Sequence, residues 1–456
     1  MDRDFSTASV GDGLYLSYDV PPLVPLERRP AHPLYITDTT LRDGQQGWRP
    51  LRPEEALKIY FVLEKLSGPN GIVRTVELFP FTERDREIAK TIIEHRAKWP
   101  EPIGWIRAKR EDVDLVRRCG FDHTVILTSV SDYHIYLKLN LDRKSAEEKF
   151  LEAISYALDR GLKIRVAMED VTRSDVLGFV LPFAEKILRV AERVGAVDSV
   201  VFKLSDTLGL GLPMEVVGLP RGVPALIKAF RERLGVKPTQ LEFHGHNDFH
   251  MAVANHAAAW LSGASFSNCT LFGVGERAGN CPLEAMLLIY ASIYGSFNGS
   301  DPRAIGEAKE LFESLGHAFS RYYPLVGENA FATAAGIHID GLIKNPLIYL
   351  PFNPETIGMR VKVRVSRHSG RAGIAYVLAR RLGLDPTALK RCQGVIDKLY
   401  ELALEKLEAE NRVELSEEEV YSLALEAAGG RLLNLLRESC GLHPSAEASA
   451  SAQRDS

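Results

Sequence analysis

The run Leu241-Glu-Phe-His-Gly-His-Asn-Asp248 reads as a strand entering a loop. Side chains at i and i+2 of a strand share a face, so His244 and His246 converge on one point, as two ligands of a divalent metal must. Taken alone, the pair fits two structural histidines equally well. A far earlier polar strand end, Ile36-Thr-Asp-Thr-Thr-Leu-Arg-Asp-Gly-Gln-Gln46, offers Asp43 as a third, anionic ligand with Arg42 beside it. The competing reading pairs Asp43 with Arg42 and leaves the histidines to cap loops.

Working outward, short apolar runs alternate with amphipathic stretches. Strands are expected at Leu34–Thr37, Val73–Leu78, Ile103–Arg107, Thr124–Thr128, Lys163–Met168, Ser199–Lys203, Gln240–His244 and Ser267–Gly273. Helical patterns lie between them, among them Pro53–Leu66, Lys149–Arg160 and Ala252–Ser262. This order predicts an α/β chain folded as a (β/α)8 barrel, with a doubly wound open sheet as the rival. The polar motifs Arg42-Asp43, Glu169-Asp170, Asp206-Thr207, His244/His246 and Glu276-Arg277 all fall at strand C-terminal ends. A barrel gathers those ends into one mouth, whereas an open sheet strings them along an edge, so the motifs favour the barrel.

Pro302–Leu315, Ala372–Leu382 and Pro386–Glu410 read as helices around an irregular stretch containing Gly336-Ile-His-Ile-Asp-Gly341. The expected organisation is an N-terminal arm (1–30), the catalytic barrel (31–300), a helical C-terminal subdomain (301–430) and a Ser/Ala-rich disordered tail (431–456).

The chain has 456 residues, 45% of them hydrophobic, and a formal charge of -4. No basic domain points to nucleic acid, no polybasic cluster to a membrane surface, and no apolar run is long enough to span a bilayer. The N-terminus has no signal-peptide pattern. Five scattered cysteines, Cys119, Cys269, Cys281, Cys392 and Cys440, read as reduced thiols of a cytoplasmic protein.

Asp43, His244 and His246 form a mixed oxygen/nitrogen set suited to Mn²⁺, Mg²⁺, Zn²⁺ or Co²⁺ with open positions, and Asn280 in Gly273-Val-Gly-Glu-Arg-Ala-Gly-Asn280 can add a neutral oxygen. A 2-oxo acid chelates such an ion through its keto and carboxylate oxygens, and Arg42 can stabilise the developing alkoxide. Arg165 shares a strand face with Ala167 and Glu169; its partner is either Glu169 or a substrate's second carboxylate. His338 alone reads as a surface histidine, Tyr349 as packing, and Cys281 as an inert buried thiol.

The ordered motifs DTTLRDG, HGHND, GERAGN, GIHIDG and His368-Ser-Gly-Arg371, across about residues 33–375, resemble the isopropylmalate/homocitrate synthase family of metal-dependent TIM-barrel enzymes, a group that includes hydroxymethylglutaryl-CoA lyase. The resemblance implies a Claisen condensation of acetyl-CoA, as co-substrate, with a 2-oxo acid, followed by thioester hydrolysis. It implies Asp43, His244 and His246, with Asn280 possible, as metal ligands. Arg42 becomes the activator of the keto group and Glu169 the family's acidic residue at the fifth strand end. His134 and Thr207 match the family's substrate-contacting positions. His338 becomes the general base with Tyr349, both reaching the neighbouring subunit of a homodimer. Two departures stand out: Thr333-Ala334 replaces the family's His-Glu, and Gln45 a frequent Glu. The family's leucine-sensing domain is not expected in the helical, tail-like stretch after His368-Ser-Gly-Arg371, and neither is leucine feedback.

Arg165 matches the arginine with which homocitrate synthases hold a second carboxylate, and Arg49 lies near enough in sequence to add to it. Ser67-Gly-Pro-Asn-Gly71, Gly104-Trp-Ile-Arg-Ala108, Ser129-Val-Ser-Asp-Tyr-His134 and Gly245-His-Asn-Asp-Phe-His250 resemble the Re-citrate synthase branch. The expected reaction is oxaloacetate plus acetyl-CoA giving citrate. Isopropylmalate or homocitrate synthesis are the alternatives, with a hydroxymethylglutaryl-CoA-lyase-type cleavage and a non-catalytic barrel more remote.

Overall fold

The computed structural model describes residues 29–390, 392–429, 432 and 434–436. Most of the expected N-terminal arm and tail, with Cys440, lie outside these residues. Two compact units meet in sequence at Leu315/Gly316.

The first unit is the barrel. Its strands are β1 (Tyr35–Asp38), β2 (Val73–Leu78), β3 (Glu101–Arg107), β4 (His123–Ser129), β5 (Lys163–Glu169), β6 (Val200–Asp206), β7 (Leu241–Gly245) and β8 (Phe266–Cys269), hydrogen-bonded in sequence order into a closed ring. All pairs are parallel, and β1 closes on β8 through Tyr35↔Phe266, Ile36↔Ser267 and Thr37↔Asn268. Closure leaves no open edge, so the open-sheet rival is excluded. The strands are buried on both faces, one against helices and one against the barrel interior, which is why they read as near-continuous apolar runs.

Helix Pro53–Ser67 starts with proline in its first turn, as expected. The helix before β5 starts at Arg143, earlier than its apolar periodicity suggests, because the Asp142 side chain caps it by accepting from the Ser145 N–H at 2.7 Å. β8 is shorter than expected: after Cys269 the chain turns through Leu271–Gly273, with Phe272 at φ 55°. β6 is longer, and carries Asp206 into the mouth.

The second unit combines helices Gly336–Lys344, Gly370–Leu382, Gln393–Ala409 and Glu417–Ala427 with two two-stranded sheets, Ala332–Thr333 beside Lys362–Val363 and Val365–Ser366 beside Glu414–Leu415. The helix expected at Pro386–Glu410 is two helices, Pro386–Lys390 and Gln393–Ala409. Helical residues continue at Leu432 and Asn434–Leu436, with Leu432 and Leu436 buried. Cys119, Cys269 and Cys281 are free thiols. Cys392 is disulfide-bonded, which corrects the expectation of five reduced thiols; spacing along the chain does not say which sulfurs a fold brings together.

Among the described residues no helix is long and apolar enough to cross a membrane.

Two mouth loops meet at Gly47, where an added Cβ would fall 2.0 Å from the Gly275 carbonyl carbon and oxygen. Gly47→Ala should therefore destabilise the protein by about 1–3 kcal/mol, read as a lower urea midpoint at constant m. An unchanged midpoint would show that these loops part freely.

Candidate active site at the barrel mouth

After β1 the buried Asp38 carboxylate accepts from the Thr40 N–H (2.9 Å) and Thr40 Oγ1–H (2.7 Å), which starts the tight π-helical turn Thr40–Gly44. That turn carries Arg42 and Asp43, both buried, into the mouth. At the end of β7, His244 and His246 face the same point. Ligating atoms of Asp43, His244 and His246 all lie within 4.8 Å of one another, with His246 Nε2 3.8 Å from Asp43 Oδ2. His246 also pairs along the backbone with Asn280, which brings that amide alongside.

Two of the candidate donor oxygens are buried without partners: Asp43 Oδ2 and Asn280 Oδ1 have no hydrogen bond. Orphaned buried oxygens and nitrogens are costly unless something is bound to them. Burial raises the Asp43 pKa, but Arg42 and the two imidazoles outweigh it and hold the carboxyl at about 2. Burial lowers both imidazoles, which keeps their lone pairs available. His244 donates from Nδ1 to Asn268 Oδ1 (2.8 Å), leaving Nε2 for the site. The Asn268 amide in turn donates to Thr37 Oγ1 (3.0 Å) and Glu77 Oε1 (3.1 Å), which fixes its orientation.

Glu77, on β2, was not singled out by sequence. The Arg42 guanidinium donates to Glu77 Oε2 from Nε (3.1 Å) and NH2 (2.9 Å), and to Asp43 Oδ1 from NH1 (2.9 Å). Lys203 of β6 ion-pairs with Glu77 Oε1. Burial raises the Glu77 pKa, but Lys203 and Arg42 drive it below the usual range. An acid inside the apolar run Val73–Leu78 is the signal that could have found it, since a buried carboxylate demands cations.

Arg165 lies deeper in β5, 2% exposed, and its ion-pair partner is Glu242 of β7. This replaces the Glu169 partner considered from the sequence: within-strand alternation sees only neighbours on the same strand, while the barrel interior brings β7 across. Arg49 is spent on Glu55 (3.0 Å).

Glu169 accepts instead from Ser129 Oγ (2.6 Å) and Lys138 Nζ (2.9 Å), and pairs with His134 Nδ1 at 2.9 Å. Burial opposes its ionisation, but His134, Ser129 and Lys138 hold it at about 2. Thr207 Oγ1 accepts from the Asp170 N–H (2.8 Å), so its hydroxyl proton stays available. Phe79 packs edge-on against Trp105, and Trp105 and Leu127 pack on the cluster of Ile103, Val125 and Ala167; the Arg42 guanidinium carbon lies 5.1 Å from the Trp105 ring centroid. Burial raises the Cys281 thiol far above its usual range, so it is no thiolate.

In the second unit, His338 lies in helix Gly336–Lys344, and its ring is 4.3 Å from that of Tyr349. Gly341 makes this approach possible, because a Cβ there would fall 2.4 Å from Tyr349 Cε2. The Gly336 N–H donates to His368 O (2.7 Å), which anchors the GIHIDG helix on the HSGR motif. Both His338 and Tyr349 are exposed.

Replacing the residue that orients His244 tests this geometry. Asn268→Leu should weaken Mn²⁺ binding by about 10–100-fold by calorimetry, without removing a donor; unchanged affinity would mean that Asn268 does not set the ring.

The HMGL-like family model matches residues 33–295, and the "Homocitrate synthase post-HMGL domain-like" model matches residues 325–407. The chain is 41% identical to a citrate (Re)-synthase of Syntrophus aciditrophicus over 82% of its length, and spans 59% of that protein. It is 41% identical to a citrate (Re)-synthase of Clostridium kluyveri, covering 75% of this chain and 76% of the relative. A crystal structure of hydroxymethylglutaryl-CoA lyase from Pseudomonas aeruginosa superposes with a TM-score of 0.50 at 16% identity, over 66% of this chain and 95% of that one, which shows the shared barrel fold. With the family models and these relatives in agreement, the chain belongs to the HMGL-like family, in the branch of the isopropylmalate, homocitrate and citrate (Re)-synthases.

Proposed function

We propose that this protein condenses acetyl-CoA with a 2-oxo acid and hydrolyses the resulting thioester, with oxaloacetate as substrate and citrate as product. The observation that carries the reading is the convergence of Asp43, His244 and His246, with Asp43 Oδ2 buried and unpartnered, beside the buried guanidinium of Arg42. A divalent ion (Mn²⁺, Mg²⁺, Zn²⁺ or Co²⁺) fits this donor set, with Asn280 Oδ1 as a further oxygen, and when bound supplies Lewis-acid polarisation of the keto group.

The chain's own groups do the rest. Arg42, locked on Glu77, stabilises the alkoxide that develops as the carbon–carbon bond forms. Glu169, ionised, holds the His134 ring through Nδ1, and His134 and the Thr207 hydroxyl contact the substrate's oxygens. His338 removes the α-proton of the acetyl thioester, with Tyr349 stacked against it. Arg165 reads the second carboxylate, so its pair with Glu242 opens to admit it. The exposure of His338 and Tyr349 supports a homodimer in which each protomer lends these two groups to its partner's barrel.

Release of CoA with a panel of 2-oxo acids tests the substrate. Oxaloacetate should exceed 2-oxoisovalerate in kcat/KM by at least about tenfold; a preference for 2-oxoisovalerate would sink the dicarboxylate reading. Mixing two inactive variants, Asp43→Ala and His338→Ala, tests the dimer. Random reassortment gives each mixed dimer one intact site, so about a quarter of wild-type activity should return. No recovery would place base and metal site within one protomer.

A further inference from the structure

From the metal ligands runs a chain of buried charges in which Glu77, Lys203 and Glu242 take no direct part in the proposed condensation. Asp43 meets Arg42, Arg42 meets Glu77, Glu77 meets Lys203, and Glu242 meets both Lys203 and Arg165. Lys203, Glu77 and Glu242 have side chains no more than 1% exposed, so water does not compensate them.

The two ends of Glu242 differ. One oxygen pairs with Arg165 NH1; the other, Oε1, lies 3.6 Å from Lys203 Nζ and makes no hydrogen bond. Arg165 Nε is likewise buried without a partner. A guanidinium can grip a carboxylate with two parallel N–H bonds. Here the grip is half made, and Glu242 is divided between two cations.

The charge count points the same way. Asp43, Glu77 and Glu242 balance Arg42, Lys203 and Arg165. A divalent cation at Asp43 leaves two positive charges in this chain of groups. A dianionic ligand cancels both, whereas a monoanion leaves one buried and uncompensated, which is costly.

We propose that Lys203 is a specificity-determining residue: by sharing Glu242 it keeps the Arg165 guanidinium open for a substrate's second carboxylate, and it supplies the positive charge that selects a dicarboxylic over a monocarboxylic 2-oxo acid. This rests on the 2-oxo acid condensation proposed above. As the second carboxylate reaches Arg165, Glu242 transfers to Lys203 and closes the 3.6 Å gap.

The test compares kcat/KM for oxaloacetate and 2-oxobutyrate in the Mn²⁺-loaded protein. Lys203→Met should lower the dicarboxylate-to-monocarboxylate ratio at least about tenfold, through KM for oxaloacetate. The double variant Lys203→Met/Glu242→Gln removes one charge of each sign, frees Arg165, and should recover the ratio. Should Lys203→Met not fold, Glu242→Gln alone decides: its KM for oxaloacetate should fall at least about threefold with that for 2-oxobutyrate unchanged. An unchanged ratio in Lys203→Met, a double variant as impaired as the single one, or an unchanged oxaloacetate KM in Glu242→Gln overturns the proposal. A wild type that prefers 2-oxobutyrate overturns the substrate reading and this inference together; a wild type that prefers oxaloacetate, with an indifferent Lys203, overturns this inference alone.

Discussion

The site depends on the buried ion pair between Arg42 and Glu77. A guanidinium and a carboxylate inside a barrel have both surrendered their hydration, and their attraction offsets that loss only when geometry and hydrogen bonds are good. Here they are good: Arg42 places two N–H groups on one Glu77 oxygen, while Lys203 and Asn268 take the other. Arg42 is thereby aimed with its third edge on Asp43. The same Asn268 amide that donates to Glu77 receives the Nδ1 proton of His244. One carboxylate on β2 thus orients both the cation and, through one intermediary, a histidine of the candidate metal site.

This dependence explains why the interior is so polar. A barrel interior is ordinarily filled by branched apolar side chains, and Ile103, Val125 and Ala167 do so here under Trp105 and Leu127. The interior also carries Thr37, Glu77, Arg165, Lys203, Glu242, His244 and Asn268, from β1, β2, β5, β6, β7 and β8. Rigid strands hold these charges, which is what preorganised electrostatic catalysis requires.

The barrel was legible because eight apolar runs ended in polar residues, and the period of two placed His244 and His246 on one face. Asp43 and Arg42 were legible as an adjacent pair at a strand end. Glu77, Lys203, Glu242 and Asn268 were not, because each is explained only by partners on other strands, and a single strand's periodicity carries no information about those. The partner of Arg165 was misread for the same reason. The approach of Tyr349 to His338 depends on the missing side chain of Gly341, a steric fact invisible until the two segments are folded together. The break before Gln393 likewise belongs to packing in the second unit.

In the proposed reactive complex a 2-oxo acid is held on a divalent ion between Asp43, His244 and His246. Electron paramagnetic resonance of the Mn²⁺-loaded protein with oxaloacetate enriched in ¹⁷O at the keto and adjacent carboxylate oxygens tests it most directly. Coordination by the substrate predicts broadening of the Mn²⁺ lines by ¹⁷O that disappears in the His246→Ala variant. Lines identical to those with unlabelled oxaloacetate would contradict it.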